Sequence, residues 1–202
     1  MAEELGRLLP FPVEINNEAN CAALGERWKG TGARADDLCY IAIGQGVGSA
    51  IICDGELIYG AACRAGEIGY LLGEIDQEMS NRNVLGEPGV LERKIWSTLS
   101  SCGLNLEQMF QAYVQGKEPA RGAVTYFIRD LARVIANIAS MLNPEVVVIG
   151  GIVAQYMKPV LPDIRAVVGG LTPIPTRVEL GSLGPWAAAM GAAFQGSVHS
   201  KL

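Results

Sequence analysis

Two short segments carry residues whose types and spacing could do chemistry. Asn17 and Glu18 lie where a run of helix-forming residues begins, and a helix dipole stabilises a negative charge at its N-terminus. Between two apolar runs the chain reads Gly44-Gln45-Gly46-Val47-Gly48, and glycines let backbone N–H groups approach phosphate oxygens closely. Each segment also has a structural interpretation. Glu18 can be an ordinary acidic first-turn residue, and the glycines can form a plain hairpin turn.

Two more glycine-rich segments follow. Gly66-Glu67-Ile68-Gly69-Tyr70 offers a carboxylate and a phenol, although Glu67 can also be interpreted as a carboxylate that braces a loop. Gly150 and Gly151 come directly after an apolar run, where a glycine pair permits a sharp turn from strand to helix. Such a pair occurs in many α/β proteins and discriminates little between functions.

The elements that position these residues show two hydrophobic periods. Hydrophobic residues show the spacing of a helix most strongly over 124–142, and Asn143 and Pro144 end this pattern. The dipeptide Asp54-Gly55 is typical of a two-residue hairpin turn. The predicted strands are 38–43, 49–53, 56–59, 145–149 and 176–180, and the predicted helices are 18–29, 90–100, 106–115, 124–142, 154–168 and 185–197. Three hairpin-linked strands followed by two crossover strands predict an α/β fold, with a mixed sheet and helices on both faces.

Composition and charge exclude several classes of function. Of 202 residues, half are hydrophobic and 18% are charged, which excludes a disordered chain. A net charge of −5 and the lack of a Lys/Arg cluster make this chain a poor DNA binder by itself. The sequence has no apolar run long enough for a membrane span, and its acidic start has no apolar signal core. We therefore expect a cytoplasmic protein.

The cysteines and the single histidine argue against a metal centre. Five cysteines, with no C-x-x-C pair, indicate reduced and buried thiols; they are Cys21, Cys39, Cys53, Cys63 and Cys102. His199 is the only histidine and lies close to the C-terminus. A zinc site of the His/Cys type is therefore not expected.

Four segments together resemble the ROK family, which groups bacterial sugar kinases and transcriptional repressors. They are Pro12-Val-Glu-Ile-Asn-Asn-Glu-Ala-Asn-Cys-Ala-Ala-Leu-Gly-Glu26, Ile43-Gly-Gln-Gly-Val-Gly48, Ala65-Gly-Glu-Ile-Gly-Tyr70 and Val148-Ile-Gly-Gly151, in the family's order. The element order is similar to the ribonuclease-H-like lobe of the sugar kinase, hexokinase and actin superfamily. The family's first lobe opens with an Asp-x-Gly-Gly-Thr loop that this sequence lacks. The resemblance thus implies that 1–202 is a single second-lobe domain, whose C-terminal helix in 185–202 packs towards the missing lobe.

The resemblance assigns a role to the start of the first motif. In family kinases an Asn-Asp pair opens a helix, and the Asp is the general base that takes the proton from a sugar hydroxyl. The matching residues are Asn17 and Glu18, so both are predicted to bind sugar, and Glu18 is the base if the chain is a kinase. Glu in place of Asp moves the carboxylate by about 1.5 Å, and an error of that size can lower a rate about 100-fold. Sugar binding tolerates this change better than catalysis does.

The nucleotide motifs depart from the family at one position. The resemblance places phosphates near Gly44, Gln45, Gly46 and Gly48, and adenine near Gly150 and Gly151. Kinases usually have Thr where this chain has Gln45. Mg–ATP is the implied cofactor if the chain is a kinase.

The Gly66–Tyr70 motif departs from the family in a way that concerns metal binding. Kinases and many repressors carry Glu and then His here, both in contact with sugar, and the His also ligates zinc with a Cys-rich loop. This chain has Glu67 and Tyr70, and residues 71–92 contain no cysteine, so the resemblance implies no zinc. Glu92 is similar to the family's last sugar-contacting Glu, so the resemblance implies that Glu67, Tyr70 and Glu92 bind sugar.

Three functions follow, in order of preference. The first is the sugar-binding effector lobe of a ROK transcriptional regulator, which the altered kinase positions and the missing zinc motif favour. The second is an ATP-dependent kinase that phosphorylates a hexose, and the third is a scaffold without a ligand. For the regulator we expect a small sugar as ligand, a homo-oligomer, and contact with DNA only through a domain absent from this chain.

Overall fold

The computed structural model describes residues 2–72 and 84–199. The seven helices in this part of the chain are α1 (Ala2–Leu8), α2 (Glu18–Lys29), α3 (Val90–Ser100), α4 (Leu106–Val114), α5 (Ala120–Leu142), α6 (Leu161–Leu171) and α7 (Ala187–His199). The five strands are β1 (Leu38–Ile43), β2 (Val47–Cys53), β3 (Glu56–Leu57), β4 (Val146–Gly150) and β5 (Arg177–Leu180). Residues 200–202 of the predicted C-terminal segment lie outside the described part.

The strands form one mixed sheet in the order β3-β2-β1-β4-β5. β1 pairs antiparallel with β2 and parallel with β4, and β4 pairs parallel with β5. Asp54 and Gly55 both have positive φ in the hairpin between β2 and β3, as the dipeptide predicts. Because β1 and β4 run parallel, their carboxyl ends lie at the same edge of the sheet, which we call the C-terminal edge.

Helices cover both faces of this sheet, as predicted. Under α5 and α6, the face is filled by large side chains such as Phe127, Ile135 and Ile149, none of which is exposed. Under α2 and α7, the buried side chains are smaller, and alanines such as Ala22, Ala23 and Ala187 predominate among those of the helices. The two faces differ in how closely the helix backbones approach their neighbours.

α2 and α7 contact each other at the level of the backbone. A Cβ atom on Gly191 of α7 would overlap the carbonyl oxygen of Cys21 in α2. In the same way, a Cβ atom on Gly25 would overlap the carbonyl oxygen of Ala187. Glycine is required at both positions because of this close approach.

A buried carboxylate fixes the C-terminal end of α2. Glu26 is 1% exposed, and its Oε2 accepts a hydrogen bond from the N–H of Thr31 at 2.8 Å. The N–H groups of Ser182 and Leu183 donate to the same carboxylate at 3.2 and 2.8 Å. Because three backbone donors satisfy it, the buried charge joins α2 to the segment that leads from β5 into α7.

Several predicted boundaries were wrong. The glycine turn covers only 44–46, because Val47 and Gly48 pair with Ile43 and Ala42 as the first residues of β2. The helix predicted over 154–168 begins only at Leu161, after two short 3₁₀ turns, because prolines at 159 and 162 cannot donate the hydrogen bonds of a continuous α-helix. α1 was not predicted at all.

The cysteine prediction holds in part. All five thiols are free, and Cys21 and Cys39 are buried. Cys53 and Cys63, however, are exposed, because Cys53 ends β2 at the turn into the edge strand β3 and Cys63 lies in the segment that follows β3. Among the described residues, no helix has the length and apolar composition needed to cross a membrane.

Candidate functional site at the C-terminal edge of the sheet

Asn17 and Glu18 occupy the start of α2, as the sequence predicts. Asn17 is the N-cap, and its Oδ1 accepts a hydrogen bond from the N–H of Ala19 at 2.8 Å. Glu18 is the first residue of the helix, and its side chain is exposed. The carboxylate therefore lies at the positive end of the helix dipole and remains accessible to a ligand.

The turn between β1 and β2 is formed by Gly44, Gln45 and Gly46. The N–H of Gly44 donates to the carbonyl of Gly46 at 2.9 Å, and Gln45 at the tip is exposed. Neither glycine has positive φ, and a Cβ atom on Gly44 would meet nothing within 4 Å. Gly48 in β2 also has open space around it. The fold of the described chain therefore gives no steric reason for glycine at 44 or 48.

Glu92 connects this turn to the Gly66–Tyr70 motif. It lies in the first turn of α3, and a Cβ atom on Gly46 would be 3.6 Å from its Oε1. A Cβ atom on Gly69 would be 3.2 Å from Oε2 of the same carboxylate. The three segments predicted separately from the sequence thus meet at the Glu92 side chain.

The Gly66–Tyr70 segment is held against β2. Gly66 has a φ of 88°, its carbonyl accepts from the N–H and hydroxyl of Ser49 at 2.7 and 2.9 Å, and a Cβ atom there would overlap the Ser49 carbonyl. Glu67 follows with an exposed side chain. The hydroxyl of Tyr70 accepts a hydrogen bond from the N–H of Gly86 at 3.0 Å. Tyr70 therefore braces the chain that precedes α3.

Gly150 and Gly151 have structural reasons for being glycine. A Cβ atom on Gly150, the last residue of β4, would overlap the hydroxyl of Tyr40 in β1. Gly151 has a φ of 84°, and a Cβ atom there would overlap the carbonyl of Ile43. This contact places the glycine pair directly beside the turn that begins at Gly44.

Tyr40 relates the glycine pair to the start of α2. Burial raises the pKa of Tyr40 to about 12, and the next cause is the negative charge of Glu26. A hydrogen bond with the backbone of Gly151 lowers the pKa, and the charge of Glu18 raises it. The Tyr40 side chain thus lies against Gly150, and the charge of Glu18 acts on it from the start of α2.

The structure brings the predicted site residues together in two groups. Gly44, Gly46 and Gly151 meet where β1 and β4 end, with Glu92 beside the turn, and the Asn17–Glu18 pair lies at the start of α2. The sequence analysis missed Asn16 and Tyr40, which contact these groups. The signal for Asn16 was its position beside two predicted ligands, whereas nothing in a buried strand distinguished Tyr40.

One cavity of the described chain lies away from these residues. It has a volume of about 360 Å³ and opens between α6 and the start of β5, where Arg165, Thr176 and Arg177 line it. None of the predicted site residues lines it. In the described part of the chain, no group of three or more His, Cys, Asp or Glu side chains is placed to hold a metal ion.

Comparisons with known proteins identify the same family as the motifs do. A model of the ROK family matches residues 1–195. The chain is 31% identical over 178 residues to the xylose repressor of Caldicellulosiruptor bescii, covering 78% of this chain and 44% of that protein. It is 31% identical over 185 residues to a glucokinase of Halalkalibacterium halodurans, covering 82% and 56%. The chain spans about half the length of the curated relatives it matches.

A solved structure supports the fold. The ROK hexokinase of Thermus thermophilus superposes on the chain with a TM-score of 0.78 and 23% identity, covering 99% of this chain and 70% of that one. This likeness confirms the predicted ribonuclease-H-like fold. Repressors and kinases both occur among the similar proteins, so similarity alone does not choose between them.

Proposed function

Because this chain belongs to the ROK family, we propose that it is the sugar-binding effector lobe of a ROK transcriptional regulator. The observation that carries the proposal is the contact of Tyr70. In the position where the resemblance implies a zinc-ligating His, the Tyr70 hydroxyl accepts a hydrogen bond from the N–H of Gly86. A hydrogen bond thus braces the segment that zinc would otherwise hold, as expected of regulators without zinc.

The exposed polar groups at the C-terminal edge suit a sugar better than an apolar ligand. Carboxylates accept hydrogen bonds from hydroxyl groups, and those of Glu18 and Glu67 are exposed. Asn17 and Glu92 add an amide and a half-buried carboxylate. A sugar bound here would shift the balance between two states of the regulator by as much as its affinities for them differ.

The proposal extends to the assembly in which the chain works. We infer that the chain is the second lobe of a two-lobe protein. This protein forms a homo-oligomer in the cytoplasm and contacts DNA through a domain absent from this chain. The chain's half coverage of its relatives supports the two-lobe arrangement. Trp186, just before α7, is 71% exposed, which is unusual for so large an apolar side chain and suits a surface that another lobe or subunit covers.

A sugar kinase is the second candidate, and the turn after β1 favours it. Glycines that their own fold does not require at 44 and 48 fit a backbone that phosphate oxygens approach. The N–H groups of the turn would hold the phosphates, and bound Mg–ATP would supply the phosphoryl group for transfer to a sugar hydroxyl. Glu18 would accept the proton of that hydroxyl.

Calorimetry and a coupled ATPase assay on the full-length protein, with D-xylose and D-glucose, test the choice. Sugar binding without turnover supports the regulator, and Glu18→Gln should then weaken binding about 10-fold or more, because it removes a charged acceptor. Glu56→Gln is the matched control, since Glu56 is an exposed carboxylate at the other end of the sheet. Turnover that Glu18→Gln abolishes and Glu56→Gln preserves would instead establish the kinase.

A further inference from the structure

The side-chain amide of Asn16 joins three parts of the chain at the start of α2. Its Oδ1 accepts from the N–H of Asn17 at 2.8 Å and from Nδ2 of Asn20 at 2.9 Å. Its Nδ2 donates to Oε1 of Gln195 in α7 at 2.9 Å and lies 3.4 Å from the hydroxyl of Tyr59. One amide therefore links α2 both to the C-terminal helix and to the segment after β3.

The direction of each hydrogen bond in this network is determined by its chemistry. The backbone N–H of Asn17 can only donate, so Oδ1 of Asn16 must face it. Nδ2 then faces Gln195, which must present Oε1. As a result, Nε2 of Gln195 points to Oε2 of Glu14, 3.2 Å away. The donors and acceptors thus have one consistent arrangement.

The packing of α7 makes this contact specific. Gln195 lies one helical turn beyond Gly191, whose contact with Cys21 sets the separation of the two helices. Asn20, which donates to the Asn16 amide, is buried. The hydrogen bonds between the helices are therefore partly shielded from water, which strengthens them relative to exposed ones.

We propose that Asn16 and Gln195 are positioning residues, which hold the start of α2 so that Asn17 and Glu18 are oriented for sugar binding. The ligand in this inference rests on the proposed function, whereas the link between α7 and α2 does not. A shift of α7 away from α2 would break the Asn16–Gln195 bond. The C-terminal helix thereby becomes a point from which the affinity for sugar can be changed.

Gln195→Ala tests the link, with Ser197→Ala as the matched control. The first variant removes the acceptor for Asn16, and we expect faster amide hydrogen exchange over 17–21 and a sugar Kd raised about 3- to 10-fold. Ser197 donates only to the Phe194 carbonyl of its own helix, so its replacement should change neither quantity. Both are measured on the full-length protein, with D-xylose and D-glucose as probes.

A double variant provides a rescue that a general loss of stability would not show. E14Q/Q195E exchanges donor and acceptor between positions 14 and 195 while keeping an oxygen towards Nδ2 of Asn16. We expect it to restore the exchange rates over 17–21 and the Kd to within about twofold of the parent, because the number of hydrogen bonds is unchanged.

The outcomes separate this inference from the proposed function. Unchanged exchange over 17–21 in Gln195→Ala overturns the link, and faster exchange with an unchanged Kd overturns the positioning role. If the parent protein binds neither sugar, the proposed function fails. The exchange rates alone then decide whether α7 holds the start of α2.

Discussion

The two faces of the sheet are built in different ways. Under α5 and α6, large side chains such as Phe127 fill the space between helix and strand. Under α2 and α7, the helices approach through Gly25 and Gly191, and directional hydrogen bonds to Glu26 hold one end. Burial of apolar area stabilises a fold without specifying direction, whereas backbone contacts and hydrogen bonds fix positions closely. The face that carries Asn17 and Glu18 is the one whose backbone contacts and hydrogen bonds fix the positions of its residues.

The largest expected effect is on the α5 face. Phe127→Ala should lower the free energy of unfolding by about 3–5 kcal/mol, because a buried ring in edge contact with Phe110 is lost and a cavity remains. Tyr126→Ala is the control: Tyr126 is the neighbouring aromatic residue, 62% exposed, and its loss should change stability by about 0.5 kcal/mol or less. Chemical denaturation measures both. If the comparison of faces is right, sugar affinity survives in each folded variant.

A smaller effect on stability, with a larger one on binding, is expected on the α2 face. Gly191→Ala should cost about 1–3 kcal/mol, since the new methyl group forces α7 away from the Cys21 carbonyl. The displaced helix should also weaken sugar binding. Gly196→Ala in the same helix has open space and should be neutral or slightly stabilising. Equal sugar affinities in the two variants would contradict the division of roles between the faces.

The smallest effect concerns pH, and adjacent residues of β1 report on the two faces. Cys39 faces α5, and burial raises the pKa of its thiol from 9.0 to about 12. The folded chain thus holds this proton more tightly than the unfolded chain, so its contribution is complete below pH 9 and is lost as pH rises towards 12. We expect the free energy of unfolding of the parent protein to fall by about 1 kcal/mol between pH 8 and 10. Thermal melting should show a smaller loss in Cys39→Ala, with the exposed Cys63→Ala as control.

Tyr40 faces α2 and gives the corresponding measurement on the other side. Its pKa is raised from 10.0 to about 12, so its contribution falls only above pH 10. Tyr40→Phe should therefore flatten the stability profile at a higher pH than Cys39→Ala does. A profile that Cys39→Ala leaves unchanged would show that the thiol does not differ between folded and unfolded states.

The local pattern predicted most of the fold, including the Asp54–Gly55 turn, but not every boundary of its elements. The strands around Leu38–Ile43 and Val146–Gly150 and the long helix Ala120–Leu142 follow from hydrophobic period, which depends on neighbours in sequence. The start of β2 at Val47 was missed because strand pairing overrides the flexibility of Gly48. The α2–α7 contact was missed because Gly25 and Gly191 lie 166 positions apart, and their fit depends on packing in three dimensions.

The candidate site was predictable to a similar extent. The motif residues were named from the sequence, whereas the proximity of Glu92 to the glycine turn was seen only in the structure. The position of Asn16 beside two predicted ligands was visible in the sequence, but its hydrogen bonds were not, since its partners Gln195 and Tyr59 come from distant elements. Short motifs mark the ligand-facing residues, while the residues that orient them are determined by tertiary contacts.

The buried carboxylate of Glu26 has a consequence for how this chain can evolve. Its side chain occupies the space that a Cβ atom would need on Gly30, and it lies 2.7 Å from the corresponding position on Gly181. A side chain on either glycine would displace the Glu26 carboxylate, and a smaller residue at 26 would leave the N–H groups of Thr31 and Leu183 without an acceptor. Replacing Glu26 would not free position 30 for a side chain, because a Cβ atom on Gly30 would also lie 2.9 Å from the Cα atom of residue 26, so we expect Glu26 and Gly30 to be retained together.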